Sequence, residues 1–346
     1  MEKTKILLVA DGGVTKELMQ KMYELEQYGA EITLVEDTDM PSMGYITDRM
    51  GLLERQGINA APSCKALLEN CADKEIIVVH VASINREVIE ASPKLKVAAV
   101  LRGGYENADV KTLTEHGIKL INAPWRSADA VADFTVGMMI AENKNIARSH
   151  KLLFEGKWCK NYVNQSYIHN MNRSTVGIIG FGYIGRRVAE RVKAFGAKVI
   201  IYDPFQKPEV AEQAGCTSVS LNELLKQSDY VTIHMRLSDK TKKFLSEREF
   251  SLMKPTAYLI NTARAGLVDT AALVKALQAK SIGGAAIDVF DEEPLAQDSP
   301  LLTLDNVTLT PHIAGTSCDT MRNSVDICFE DIKNYLLGKS MVNVRN

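Results

Sequence analysis

The sequence predicts an α/β protein made of two doubly wound parallel-sheet domains, and three observations carry that reading. Short apolar runs alternate with helical patterns along the chain, as they do where helices cover parallel strands. With 346 residues the chain is long enough for two cores of about 100–200 residues each. Midway, the glycine-rich stretch VGIIGFGYIGRR joins an apolar run to a helical pattern and opens a second series of strands.

The first series reads as strands at 5–10, 30–35, 76–79, 95–101 and 119–121, enough for one open sheet. A stretch at 126–154 follows, too long and too periodic for a loop, and it reads as one helix linking the domains. The polar segment 157–173 reads as an arm whose Trp158, Tyr162 and Tyr167 pack either on a partner subunit or within the chain. The second series has strands at 175–180, 198–202, 230–234, 257–261, 284–288 and 306–310, with helices at 185–195, 221–225 and 270–279 between them. A last helix at 316–337 ends at Gly338, a residue suited to a helix C-terminus.

Composition narrows the partners. A net charge of −2 without a long basic run offers no field for nucleic acid, so the ligand should be a small molecule. The N-terminal apolar run Ile6–Ala10 is too short for a signal segment, and the longest apolar stretch, 131–141, is interrupted by Asp133. No membrane association and a cytoplasmic location are expected. Six cysteines are scattered without CxxC pairs or a nearby histidine at ligand spacing, which predicts reduced packing thiols and no metal.

Gly180, Gly182 and Gly185 stand in GxGxxG spacing between the apolar run at 175–180 and a helix, and Asp203 closes the next strand, 18 residues beyond Gly185. In this context Gly180 permits a tight turn, Gly182 lets backbone approach a pyrophosphate, and Gly185 brings helix and strand close. Backbone amides of Tyr183 and Ile184 at the helix start would face the phosphates. Asp203 would accept from the adenosine ribose hydroxyls and repel a 2′-phosphate, which favours NAD over NADP. Of the following residues Lys207 is the nearest cation.

Downstream, NTARAGLVDTAAL, AAIDVFDEEPL and TLTPHIAGTS, together with NADVKTLTEHGIKLINAP and AVADFTVGMMIA, resemble the D-isomer-specific 2-hydroxyacid dehydrogenases, the family that includes D-3-phosphoglycerate dehydrogenase. The resemblance covers nearly the whole chain. It implies a flavodoxin-like substrate domain from residues 1–122 with 313–346, a Rossmann domain from 123–312, and an active site in a cleft between them. It also implies interconversion of a D-2-hydroxy acid and its 2-oxo acid by hydride transfer, and a homodimer.

Its implied catalytic residues are Arg264, Glu293 and His312. Reduction of a 2-oxo acid needs a proton donor that titrates near neutrality, which a histidine supplies. Glu293, chosen over Glu292 because it immediately precedes Pro294, would hydrogen-bond the other imidazole nitrogen and favour the protonated ring. Arg264 would pair with the substrate carboxylate through its planar fork. Formate oxidation, also found in the family, goes with glutamine where Glu293 stands.

The same resemblance places Thr262, Ala263, His234 and Asp288 beside the cofactor, with Asp288 accepting from the nicotinamide carboxamide and His234 lining the cofactor or acting as a second acid/base. In LRGGYENADV, Gly103 and Gly104 would present amides to the substrate carboxylate, while Arg102 contacts an acidic substrate or caps a nearby surface. The stretch 79–83 contains no arginine or lysine where phosphoglycerate dehydrogenases place a phosphate-binding arginine. An unphosphorylated acid, its hydroxyls met by His80 and Ser83, is therefore expected. With the chain closing at Asn346, a C-terminal regulatory domain with serine feedback is not expected. The reading from another class is an NAD(H)-sensing interaction module like the corepressors built on this fold.

Overall fold

The first sheet has strands β1 (Thr4–Ala10), β2 (Ala30–Glu36), β3 (Ile76–Val79), β4 (Val97–Val100) and β5 (Lys119–Asn122); β3 and β4 are apolar and buried throughout because helices cover both faces, whereas β2 at the edge is half-exposed. Side chains alternate between faces along each strand. Ile6, Leu8, Ile76, Val78, Val97 and Ala99 pack with Val325, Cys328, Phe329 and Ile332 of the C-terminal helix Cys318–Leu336. Leu7, Val9, Ile77, Val79, Ala98 and Val100 pack with Leu67, Val88 and Leu113 on the opposite side. The five strands are parallel in the order β2-β1-β3-β4-β5, so the winding reverses between β1 and β3.

The structure is a computed structural model that describes residues 3–346. These fall into two compact units, one reaching Ser127 and resuming at Ser317–Asn346, the other spanning Ala128–Thr316. The changeovers lie four to five residues beyond the 122/123 and 312/313 of the sequence reading. Residues past β5 stay with the first unit because Ala123 N donates to Arg102 O, while Arg126 donates to Leu101 O and Ser324 Oγ.

The second unit contains β6 (Thr175–Ile179), β7 (Lys198–Tyr202), β8 (Thr217–Ser218), β9 (Tyr230–Ile233), β10 (Tyr258–Asn261), β11 (Gly284–Ile287) and β12 (Val307–Leu309). The order is β12-β11-β10-β9-β6-β7-β8, all parallel, with its reversal between β6 and β9. The two-residue edge strand β8 has too little pattern to be read from sequence.

The single linking helix expected at 126–154 is two helices, Ala128–Asn143 and Ile146–Phe154. Asn145 breaks it with φ 54°, a left-handed conformation that asparagine tolerates better than most residues, and its buried amide donates to Asn164 Oδ1 at 2.8 Å. The first helix is part of the second unit's core through Ala132, Val136 and Met139, and Arg191 ties it down by pairing with Asp129 and Asp133. In the arm, Tyr162 Oη lies 2.7 Å from Ser149 Oγ and the Tyr167 ring lies 6.3 Å from that of Tyr258, both contacts within the chain, whereas Trp158 is exposed. No helix is long and apolar enough to cross a membrane among the described residues.

Candidate active site

The glycine turn follows β6, where the sheet of the second unit reverses its winding. Gly180 has φ 92°, and a Cβ there would lie 2.8 Å from the His234 backbone, so only glycine fits. A Cβ on Gly185 would sit 2.2 Å from Gly180 O, which makes this residue the close contact between helix and turn rather than a ligand contact. At Gly182 a Cβ would meet nothing within 4 Å, leaving the approach to the backbone open. The helix Tyr183–Ala194 starts here with Gly182 as its N-cap and no side chain capping it. Tyr183 is exposed and Ile184 half-buried beside that end.

Asp203, at the end of β7, accepts from Phe181 N at 2.7 Å and from Phe205 N at 2.8 Å, so it braces the turn as well as presenting a carboxylate there. An uncapped helix N-terminus, an open glycine and an acid at the second strand end together fit a dinucleotide. Arg186, overlooked in the sequence, donates to Gln206 Oε1 at 3.3 Å and so brings a guanidinium to the segment after Asp203.

His234 follows β9. Its Nε2 lies 2.9 Å from the hydroxyl of buried Thr232, its Nδ1 is buried without a partner, and burial lowers the imidazole to about 3. The ring is therefore neutral at physiological pH, which removes it as a second acid/base. Thr262 is also buried, its hydroxyl 2.7 Å from that of Thr135, and Ala263 N donates to Asn261 Oδ1.

The loop after β12 carries His312, whose Nδ1 lies 2.8 Å from Glu293 Oε2, while Glu293 Oε1 accepts from Phe290 N at 3.0 Å. Partial burial pushes the Glu293 carboxyl up, but the bonds from His312 and Phe290 and the charges of His312 and Arg264 outweigh it, leaving it below its ordinary value. Glu292 is not in this pair and lines a different cavity. A cavity of about 410 Å³ opens over the pair, lined by Phe290, Pro294, Leu295, Leu309 and Pro311. Arg264 is exposed at the end of its loop, where Asn261 Nδ2 holds its carbonyl at 3.1 Å.

Asp288 turns its carboxylate to the loop that carries His312. It is completely buried; Oδ1 accepts from Thr310 Oγ1 at 2.7 Å and Ile313 N at 3.0 Å, and Oδ2 from Ala314 N at 2.8 Å. These three bonds engage both carboxylate oxygens with one loop and hold His312 at φ 54°, a left-handed conformation uncommon for a residue with a Cβ.

In the first unit, the substrate loop after β4 is fixed by Asn122 Nδ2 donating to Gly103 O at 2.7 Å. Gly103 is open, a Cβ there meeting only Ala123 O at 3.8 Å, whereas Gly104 lies against Glu106, whose carboxylate would be 2.4 Å from a Cβ. Ser83 is completely buried, and His80 Nδ1 is already engaged by Asp11.

The sequence pattern described as "D-isomer specific 2-hydroxyacid dehydrogenase, NAD binding domain" matches residues 136–314. D-3-phosphoglycerate dehydrogenase of Methanocaldococcus jannaschii is 39% identical over 304 residues, covering 86% of this chain and 57% of that protein. A glyoxylate reductase of Korarchaeum cryptofilum is 35% identical over 289 residues, covering 83% of this chain and 87% of the reductase. Among solved structures, the NAD-complexed D-isomer specific 2-hydroxyacid dehydrogenase of Lactobacillus delbrueckii ssp. bulgaricus superposes with a TM-score of 0.77 at 25% identity, covering 99% of this chain and 100% of that one.

Proposed function

Because this chain belongs to the D-isomer-specific 2-hydroxyacid dehydrogenases, enzymes that use NAD, we propose that it reduces a small 2-oxo acid to the D-2-hydroxy acid with His312 as the acid/base. The observation that carries this reading is the 2.8 Å bond between His312 Nδ1 and Glu293 Oε2 on a loop anchored by Asp288. With Nδ1 engaged, Nε2 is the nitrogen that faces the substrate, and it gives its proton to the carbonyl oxygen as the alcohol forms. Glu293 orients the ring through that bond. Arg264 takes the substrate carboxylate in its planar fork.

Gly180, Gly182 and Asp203 would hold the dinucleotide, Gly182 through its open backbone and Asp203 at the adenosine ribose, with Tyr183, Ile184, Thr262, Ala263 and His234 around it. Bound NADH supplies the hydride that reduces C2. Arg102 and Gly103 complete the proposal as substrate-binding residues. The chain acts as a homodimer in this reading. NADH oxidation, followed by absorbance with a panel of 2-oxo acids and with the product enantiomer resolved, tests it: a D product supports the reading and an L product overturns it.

A further inference from the structure

The first unit holds a second cluster of charged groups at the carboxyl ends of β1, β3 and β4. Asp11 and His80 come directly after β1 and β3, and Arg102 stands two residues beyond β4. In open α/β sheets the loops part where the winding reverses, here between β1 and β3, and leave a crevice at the carboxyl edge. That crevice is a cavity of about 290 Å³ whose lining includes His80, Arg102, Arg126, Glu54, Met50 and Met321.

Among the described residues neither guanidinium is ion-paired: Arg126 Nη1 donates to Leu101 O, Ser324 Oγ and Met321 Sδ, and Arg102 Nε is buried without a partner. Desolvation lowers both, and with the added repulsion of Arg102 it takes Arg126 down to about 10. His80 Nδ1 lies 3.0 Å from Asp11 Oδ1, and its Nε2 is buried without a partner. The nearby acids do not neutralise the pair. Asp11 is committed to His80 and to the amides of Gly13 and Val14, and Glu106 and Glu54, whose charges also favour the Arg102 cation, are exposed to solvent and ion-pair with neither guanidinium. Two desolvated like charges in one cavity are unfavourable until an anion joins them.

We propose that this cavity binds the second anionic group of a dianionic 2-oxo acid, a carboxylate or phosphate at the far end of a short chain, with Arg102 and Arg126 as the binding cations. This rests on the function proposed above and names its substrate class. It replaces the unphosphorylated, hydroxylated acid expected from the absence of a cation in the stretch 79–83. Arg102 adjoins Gly103 in sequence, so a carboxylate on the Gly103 backbone and an anion on the Arg102 side chain lie a few bonds apart. Met50 and Met321 give the intervening methylenes an adaptable apolar wall.

The test is kcat/KM within matched pairs: 2-oxoglutarate against 2-oxopentanoate, and 3-phosphohydroxypyruvate against hydroxypyruvate. The charged member of at least one pair should win by tenfold or more, about 1.4 kcal/mol, and the pair that responds identifies carboxylate or phosphate. Arg102→Met and Arg126→Met should each lower that ratio at least tenfold, and Glu54→Gln should raise it. Arg126 also braces Leu101 and Ser324, so Arg102→Met, which loses no side-chain hydrogen bond, decides if the other variant fails to fold. Calorimetric titration of the enzyme with succinate and with inorganic phosphate gives a readout free of turnover: binding of either one that Arg102→Met abolishes supports the cavity. Ratios near one in both pairs, with the monoanionic members reduced, or anion binding untouched in Arg102→Met, overturn this inference alone. Failure to consume any 2-oxo acid overturns the function on which it rests.

Discussion

Asp288→Asn removes one charge and places one amide group where the carboxylate now accepts three bonds. Whichever way the new side chain turns, its NH₂ opposes a backbone N–H, that of Ala314 at the Oδ2 position or that of Ile313 at the Oδ1 position. Losing a hydrogen bond to a charged group costs about 1.5–3 kcal/mol, and leaving a buried donor opposed adds about 1–3 kcal/mol. We expect a loss of about 3–5 kcal/mol, which for a unit of this size lowers Tm by about 6–20 °C. The loop that carries His312 loosens with it, so kcat/KM for the preferred 2-oxo acid should drop by at least tenfold while NADH affinity, measured by fluorescence titration, changes by no more than about threefold. Calorimetry of the cofactor-free protein and steady-state kinetics supply the two numbers. An unchanged Tm with a large loss of NADH affinity would refute the reasoning, because it would make Asp288 a cofactor ligand rather than the anchor of the loop.

Asp203→Ala should weaken NAD binding and raise the NADP/NAD ratio of kcat/KM at least tenfold, since the repulsive carboxylate goes while Arg186 stays beside Gln206; an unchanged ratio would place Asp203 away from the ribose. His234, held near 3 against about 6.5 when unfolded, binds a proton in the unfolded chain before it does in the folded one. Stability therefore falls as pH drops below about 6.5, by up to about 1.4 kcal/mol per unit, and His234→Gln should flatten the Tm profile between pH 6.5 and 4; an unaltered slope would contradict a buried neutral ring. Exposed Ile146, Leu153, Phe154 and Trp158 on and beside one helix call for cover, so light scattering at micromolar concentration should give a dimer, and a monomer would remove that expectation.

What could be read from the sequence is what local geometry dictates. Gly180 and Gly185 keep their roles because the turn leaves no room for a Cβ, and a one-dimensional spacing captures that constraint. Strand positions hold to within two residues because both sheets are covered on both faces and their central strands are continuous apolar runs. The break at Asn145 was hidden, since periodicity runs on through it and only the bond to Asn164 stabilises the left-handed residue. The partners of Asp288 and Arg126 come from segments distant in sequence or from backbone amides, which no motif records. Ser83 looked available because it follows a strand, yet the packing of the first unit encloses it completely.

The central claim is that His312, oriented by Glu293, moves the proton. Steady-state NADH oxidation by His312→Asn with the preferred 2-oxo acid tests it most directly, alongside NADH titration of the same variant. General acid/base catalysis contributes about 10²–10⁴-fold, so kcat should fall by that factor while the NADH Kd stays within about threefold of the parent enzyme. Turnover within tenfold of the parent enzyme would contradict the account, and so would a parent enzyme that binds NADH but consumes none with any 2-oxo acid.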